Sequence, residues 1–117
     1  MNKVIIAGGR DFNDYQLLKT KCDKILSNLS DITIISGKAR GADSLGEKYA
    51  VEKGYMIDEY PADWNKYGKA AGYIRNEEMA KTATHLIAFW DGVSSGTKNM
   101  IELADKYNLK IRVIKWN

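Results

Sequence analysis

Several segments of this chain carry residue types that can hold a negatively charged ligand. The strongest is Asp91-Gly92-Val93-Ser94-Ser95-Gly96-Thr97, in which glycine amides and three hydroxyls stand together just before a helical pattern, where the unpaired N–H groups of a helix start attract anions. It lacks the lysine of a Walker motif and does not have the dinucleotide spacing, so it reads as a phosphate nest of another kind. A second segment, Ser36-Gly37-Lys38-Ala39-Arg40-Gly41-Ala42-Asp43, mixes a hydroxyl, glycines and two cations ahead of another helix and could also cradle a phosphate. In the alternative reading Asp43 or Ser44 caps that helix and Lys38 and Arg40 stay in water. Near the N-terminus, Gly8-Gly9-Arg10-Asp11-Phe12 joins two glycines, which permit a sharp turn with exposed amides, to a fixed positive charge. A tight turn alone would use the same glycines.

Single side chains extend the set. Arg75 lies four and eight residues before Met79 and Ala83, on an inward helical stripe, where a guanidinium usually meets a phosphate or a carboxylate, the second option being an internal salt bridge. Asn76 beside it suits a ribose or a loop carbonyl. Trp64, Tyr67 and Trp90 are candidates to stack a base, with core packing as the alternative for each. Asp63 fits either a turn or a ligand contact, and His85 at the start of a strand reads as structural. Cys22 falls on an apolar helix stripe with Leu18 and Ile25 and reads as a buried thiol. One cysteine and one histidine leave no disulfide framework and no zinc cluster within one chain, and no cofactor or metal is expected.

The elements that must position these residues are short apolar runs alternating with helical patterns. Strands are expected at 4–7, 32–35, 55–60, 85–89 and 111–116. Helices are expected at about 14–29, 42–53, 73–83 and 97–107, with Asp14 capping the first, Gly54 ending the second and Asn108 closing the last. Met100, Ala104 and Tyr107 form the buried stripe of the last helix. The segment between strand three and helix three, with the chain's single proline at Pro61, is long for a connection and so suggests a site. Strands separated by helices imply a Rossmann-like three-layer α/β sandwich with a mainly parallel five-stranded sheet in order 3-2-1-4-5. That order reverses between strands one and four, where a ligand crevice is expected outside the carboxyl ends.

Length and composition set the remaining bounds. A chain of 117 residues with 44% apolar content is long enough to bury a core as a single domain, residues 1–117, without staples. No apolar stretch is long enough to span a bilayer, and MNKVIIAGGRDF has no signal-peptide cleavage region, so a cytoplasmic protein with no membrane partner is expected. The net charge of +3 is spread among acids along most of the chain, which does not indicate a nucleic-acid partner.

Taken in order, GGRDF, SGKARGAD, PADWNKYGKAAGYIRNEEM and DGVSSGTKNM resemble the SLOG superfamily, in particular its small YspA-like branch, over most of the chain. The resemblance implies a Rossmann-like domain that binds nucleotides or nucleotide-derived ligands. Relatives include the LOG phosphoribohydrolases, the DprA DNA-processing proteins and ligand-sensing domains of anti-phage systems. It places Gly8, Gly9 and Arg10 on one wall, Gly92, Ser94, Ser95, Gly96 and Thr97 in the phosphate loop, and Arg75 and Asn76 facing them. The LOG enzymes carry a PGGxGTxxE loop whose glutamate works with an arginine to cleave base from a ribose 5′-monophosphate. Here the glutamate position holds Met100. The nearest acid, Glu102, is two residues on and turned by about 200°, and a methionine neither stabilises a cationic sugar nor activates water. Asp11, Asp63 and Asp91 are the acids that could substitute from other loops.

Binding without turnover, as sensor, carrier or sponge of a cyclic-nucleotide or ADP-ribose-type signal, is therefore the leading expectation. A nucleotide N-glycosidase is the alternative, and single-stranded DNA binding the third. Self-association is compatible with the family, whose domains often pair, but no long unexplained apolar helix face demands it.

Overall fold

The computed structural model describes residues 1–116. The chain runs β1 (Asn2–Gly8), α1 (Tyr15–Leu26), β2 (Ile32–Ser36), α2 (Ala42–Lys53), β3 (Met56–Glu59), α3 (Trp64–Tyr67), a 3-10 turn (Gly68–Ala70), α4 (Ala71–Thr82), β4 (His85–Trp90), α5 (Ser95–Lys106) and β5 (Lys110–Lys115). All five strands are parallel and lie in the order β3-β2-β1-β4-β5, as the alternation of strands and helices implied.

The sheet is covered on both faces, which is why its central strands are apolar at nearly every position. On one face Val4, Ile6, Ile34, Ile87 and Phe89 pack with Leu18, Cys22 and Leu26 of α1 and Ala42, Tyr49 and Ala50 of α2. On the other, Ile5, Ala7, Ile35, Leu86 and Ala88 meet Met79 and Ala80 of α4 and Met100 and Ala104 of α5. The helix α2 comes so close to β1 that a Cβ on Gly46 would stand 2.9 Å from the Cβ of Ile6.

Helix boundaries follow local chemistry. The Asp14 carboxylate accepts from the Leu17 amide at 3.0 Å and starts α1, while Gly54 closes α2 in the left-handed region, with φ 76°. Asn108, with φ 62°, follows α5 in the same region. Helix α1 stops at Leu26, three residues short of the periodicity, because Leu29 turns back to bond the Leu26 carbonyl. Tyr107 is half-buried rather than buried; its ring packs at the core margin and its hydroxyl donates to Glu77 at 2.6 Å.

The largest departure from the sequence pattern lies between β3 and α4. The stretch expected to be loop contains α3, started by the Asp63 carboxylate accepting from the Lys66 amide at 3.1 Å, and α4 begins two residues early at Ala71. A single turn with an exposed surface carries too little apolar periodicity to be read from sequence.

Candidate functional site

The strand order reverses between β1 and β4, and a cavity of about 400 Å³ opens there, at the carboxyl ends of the strands. This volume is in the range of small-molecule sites. Its wall brings together Gly8 and Arg10 after β1, Ala39 and Asp43 after β2, Arg75 and Asn76 of α4, and Ser94, Ser95, Gly96 and Thr97 at the start of α5. Met79 and Met100 contribute the apolar surface, and Trp64, Lys69, Gly72 and Tyr73 the outer rim.

The loop before α5 is built to hold its helix start open to the cavity. The Asp91 carboxylate accepts from the amides of both Val93 and Ser94 at 2.8 Å, and these two bonds keep its pKa below the ordinary carboxylate range. The Trp90 indole N–H donates to the Ser94 carbonyl at 3.0 Å, and Gly92 makes the turn at φ 88°. Ser94 occupies the N-cap position without capping the helix through its side chain; its hydroxyl stands 3.2 Å from that of Thr97. The amides of Ser95, Gly96 and Thr97, in the first turn, have no intrahelical acceptor, and all three residues line the cavity.

Arg75 faces this helix start. One of its Nη1 hydrogens goes to the Gly37 carbonyl and its Nε donates to Asn76 Oδ1 at 3.0 Å, so part of the guanidinium remains for a ligand. Asn76, itself buried, donates to Asn99 Oδ1 at 2.9 Å and to the Gly96 carbonyl at 3.4 Å, which ties α4 to α5 and fixes the arginine. No carboxylate stands within 4.0 Å of Arg75 among the described residues, so the internal salt bridge weighed from sequence is not made. Burial and the nearby charge of Arg10 lower its pKa, against the pull of Asp43.

Asp43 caps nothing. The N-cap of α2 is Gly41, and the Asp43 side chain, 7% exposed, turns inward to accept from the Ala39 amide at 3.2 Å. Burial pushes its pKa up to about 6, against the Ala39 amide and the Arg75 charge.

A second hollow of about 390 Å³, lined by Gly37, Lys38, Arg40, Pro61 and Ala62, shares Arg10, Ala39, Trp64 and Arg75 with the first. Three of the chain's four arginines therefore meet at this sheet edge, and none has an ion-pair partner among the described residues. Lys38 differs from them: its ammonium lies 3.2 Å from both Glu47 and Glu59.

The remaining candidates play supporting parts. Ser36 is spent internally, its hydroxyl donating to Glu47 at 2.5 Å and accepting from the Lys38 amide at 3.1 Å. Gly9 and Gly41 form the joint between the β1 loop and α2: the Ala42 amide donates to the Gly9 carbonyl at 3.3 Å, and a Cβ on Gly41, at φ 80°, would overlap the carbonyls of Gly9 and Arg10. Asp11 is exposed and outside both hollows, and Gly92 and Trp90 shape the loop without lining the cavity. Among the expected stacking groups Trp64 lines the cavity at 52% exposure, whereas Tyr67 is exposed away from it. Sequence reasoning missed Lys69 and Tyr73, although the first lies within the long β3–α4 connection and the second directly follows it.

The order of these loops matches a known family. The model of the YspA, cpYpsA-related SLOG family matches residues 2–67. The chain belongs to that family. The match takes in β1 through α3, including Gly8 to Arg10 and the β2–α2 loop, whereas Arg75 and the start of α5 lie outside the matched residues. Over 118 residues this SLOG domain is 29% identical to the Gene 61 protein of Mycobacterium phage D29, covering 95% of the present chain and 94% of the phage protein. Among solved structures it is similar to DNA processing protein A, DprA, from Streptococcus pneumoniae, with a TM-score of 0.76 at 18% identity. That alignment covers all of this chain and 51% of DprA, so the SLOG domain spans about half of that protein. TM1055 has a TM-score of 0.68 at 16% identity, over 95% of this chain and 72% of its own. These two likenesses establish the Rossmann-like fold.

Proposed function

We propose that this SLOG domain binds a nucleotide or nucleotide-derived anion in the β1–β4 crevice without turning it over, as a sensor, carrier or sponge. Family membership supports a nucleotide-related or DNA-processing role in general. The observation that carries the finer reading is the convergence of a half-buried arginine without a carboxylate partner and the open first turn of α5 on one cavity. A guanidinium and a row of helix amides together complement a phosphate, and the exposed face of Trp64 on the rim offers a surface for a base.

Absence of turnover is argued from the position that holds a glutamate in the LOG enzymes. Met100 stands there, 1% exposed and on the cavity wall, and Glu102 is exposed to solvent away from it. Asp63 and Asp91 are engaged by backbone amides at helix starts. One observation favours the alternative of base release: Asp43 is a carboxylate on the cavity wall with a pKa suited to proton transfer.

Native mass spectrometry with AMP, ADP-ribose, cyclic ADP-ribose and cyclic dinucleotides tests both readings, because bound mass and free products are seen in one sample. An intact ligand on the wild-type protein, weakened at least about tenfold in Arg75→Ala, is expected. Free base in solution that disappears in Arg75→Ala would replace binding with hydrolysis, and binding indifferent to Arg75 would remove the site. Single-stranded DNA, the third reading, would reveal itself by affinity that falls steeply with salt.

A further inference from the structure

The cavity presents one acceptor that a phosphate cannot satisfy. Asp43 is buried to 7% exposure, it is the one carboxylate on the cavity wall among the described residues, and the protein groups that donate to it are backbone amides, Ala39 at 3.2 Å with Gly37 beside it. A carboxylate has about four acceptor positions. Neighbouring Arg75 does not take them up: a Cβ on Gly37 would lie 2.8 Å from both Arg75 Nη1 and Asp43 Oδ2, yet the two groups form no ion pair within 4.0 Å. A donor and an acceptor are thus offered side by side to the same space. An anionic group suits the first, and only an O–H or N–H suits the second.

Strand order says which part of a nucleotide reaches Asp43. Along the carboxyl edge of the sheet the connections follow β3, β2, β1 and β4, so Trp64 after β3 and the amides of α5 after β4 sit at opposite ends, with Asp43 after β2 between them. A nucleotide with its phosphate on α5 and its base toward Trp64 carries its sugar hydroxyls in the middle. We propose that Asp43 is the specificity-determining group for the sugar, accepting a hydrogen bond from a ribose 2′- or 3′-hydroxyl and so selecting ribonucleotides over deoxy analogues. This rests on the nucleotide reading above. A site built around a buried acceptor rejects an analogue that leaves the acceptor unpaired far more strongly than an apolar pocket rejects a missing methylene.

The test is calorimetric titration of AMP, its 2′-deoxy and 3′-deoxy analogues and IMP into the wild-type protein and into Asp43→Asn and Asp43→Ala, each first shown by thermal melting to be folded. The wild type should bind AMP at least about tenfold more tightly than one of the deoxy analogues, with IMP close to AMP. In Asp43→Ala the preference should fall below about threefold while deoxy-nucleotide binding persists, and in Asp43→Asn, which keeps an amide beside the sugar but loses the ionised acceptor, it should be reduced. Equal binding of ribo and deoxy forms by the wild type overturns the assignment, as does a preference untouched by both substitutions, or a loss confined to IMP, which would put the base amino group on Asp43. Failure of all four mononucleotides to bind also overturns the sugar assignment, while the nucleotide reading is decided separately by the wider panel of ADP-ribose and cyclic ligands above.

Discussion

Asp43→Asn should stabilise the domain at neutral pH, and the size of the effect follows from where the carboxylate sits. Its pKa rises from 3.8 to about 6 in the fold, because the burial that disfavours the ionised form outweighs the Ala39 amide and the Arg75 charge. The folded state therefore holds a proton that the unfolded state has released between those two values. Stability from this group is complete below about pH 4, falls as pH rises through about 6, and is gone above it. A difference of about two pKa units corresponds to about 3 kcal/mol. Asparagine keeps the shape and an acceptor for the Ala39 amide but cannot ionise, so at pH 7.5 the variant should gain up to about 3 kcal/mol, or about 10 °C in Tm for a domain of this size. Urea denaturation of both proteins at pH 4.5, 6 and 7.5 measures this directly. The gap should be small near pH 4, open as pH rises from about 4 to about 6, and stay constant above that. A variant less stable than wild type at pH 7.5, or a gap independent of pH, would show that Arg75 repays the ionisation of Asp43 and would refute the argument. A carboxylate retained at such an expense is consistent with use by a ligand, since stabilising substitutions in sites commonly remove function.

Arg75→Lys should weaken anion binding nearly as much as Arg75→Ala, because an ammonium cannot both hold the Gly37 carbonyl and present a planar fork; titration at constant ionic strength checks this. Gly41→Ala should destabilise by about 2–4 kcal/mol in urea, since its φ of 80° and the carbonyls of Gly9 and Arg10 leave no room for a Cβ. Asp91→Ala should lower Tm at pH 7 by an amount that shrinks as pH falls below the ordinary carboxylate range, because the amides of Ser94 and Val93 depress the pKa of Asp91 and its contribution is lost only as acid protonates it. Cys22, whose thiol burial pushes up to about 12, should fail to react with a thiol reagent in the native protein and react fully in denaturant.

Much of the fold could be read from the chain because it depends on local patterns. The apolar runs around Ile5, Ile34 and Ile87 report strands buried on both faces, the stripe of Leu18 and Cys22 reports α1, and right-handed crossovers leave few topologies for such an alternation. The switch point and three of the loops that meet there followed from this order. Residue type at a spacing also identified Arg75, Ser94, Ser95, Gly96 and Thr97 as anion-binding candidates.

What the sequence could not decide is which polar groups are already engaged. Ser36 and Lys38 looked as available as Arg40, but Glu47, eleven residues beyond Ser36 on α2, takes the serine hydroxyl and, with Glu59 at the end of β3, the lysine charge. Trp90 looked like a stacking surface and instead pins the α5 loop through its indole N–H. Asp43 could have been a ligand contact or a helix cap, and the Gly41 turn carries it past the cap position and into the cavity wall. Periodicity and capping are set by neighbours along the chain, so the residues alone determined the sheet, its order and the edge at which the cavity opens. Hydrogen-bond partnership and burial are set by side chains brought together across β2, β3, α2 and α4, and those only the tertiary structure decided.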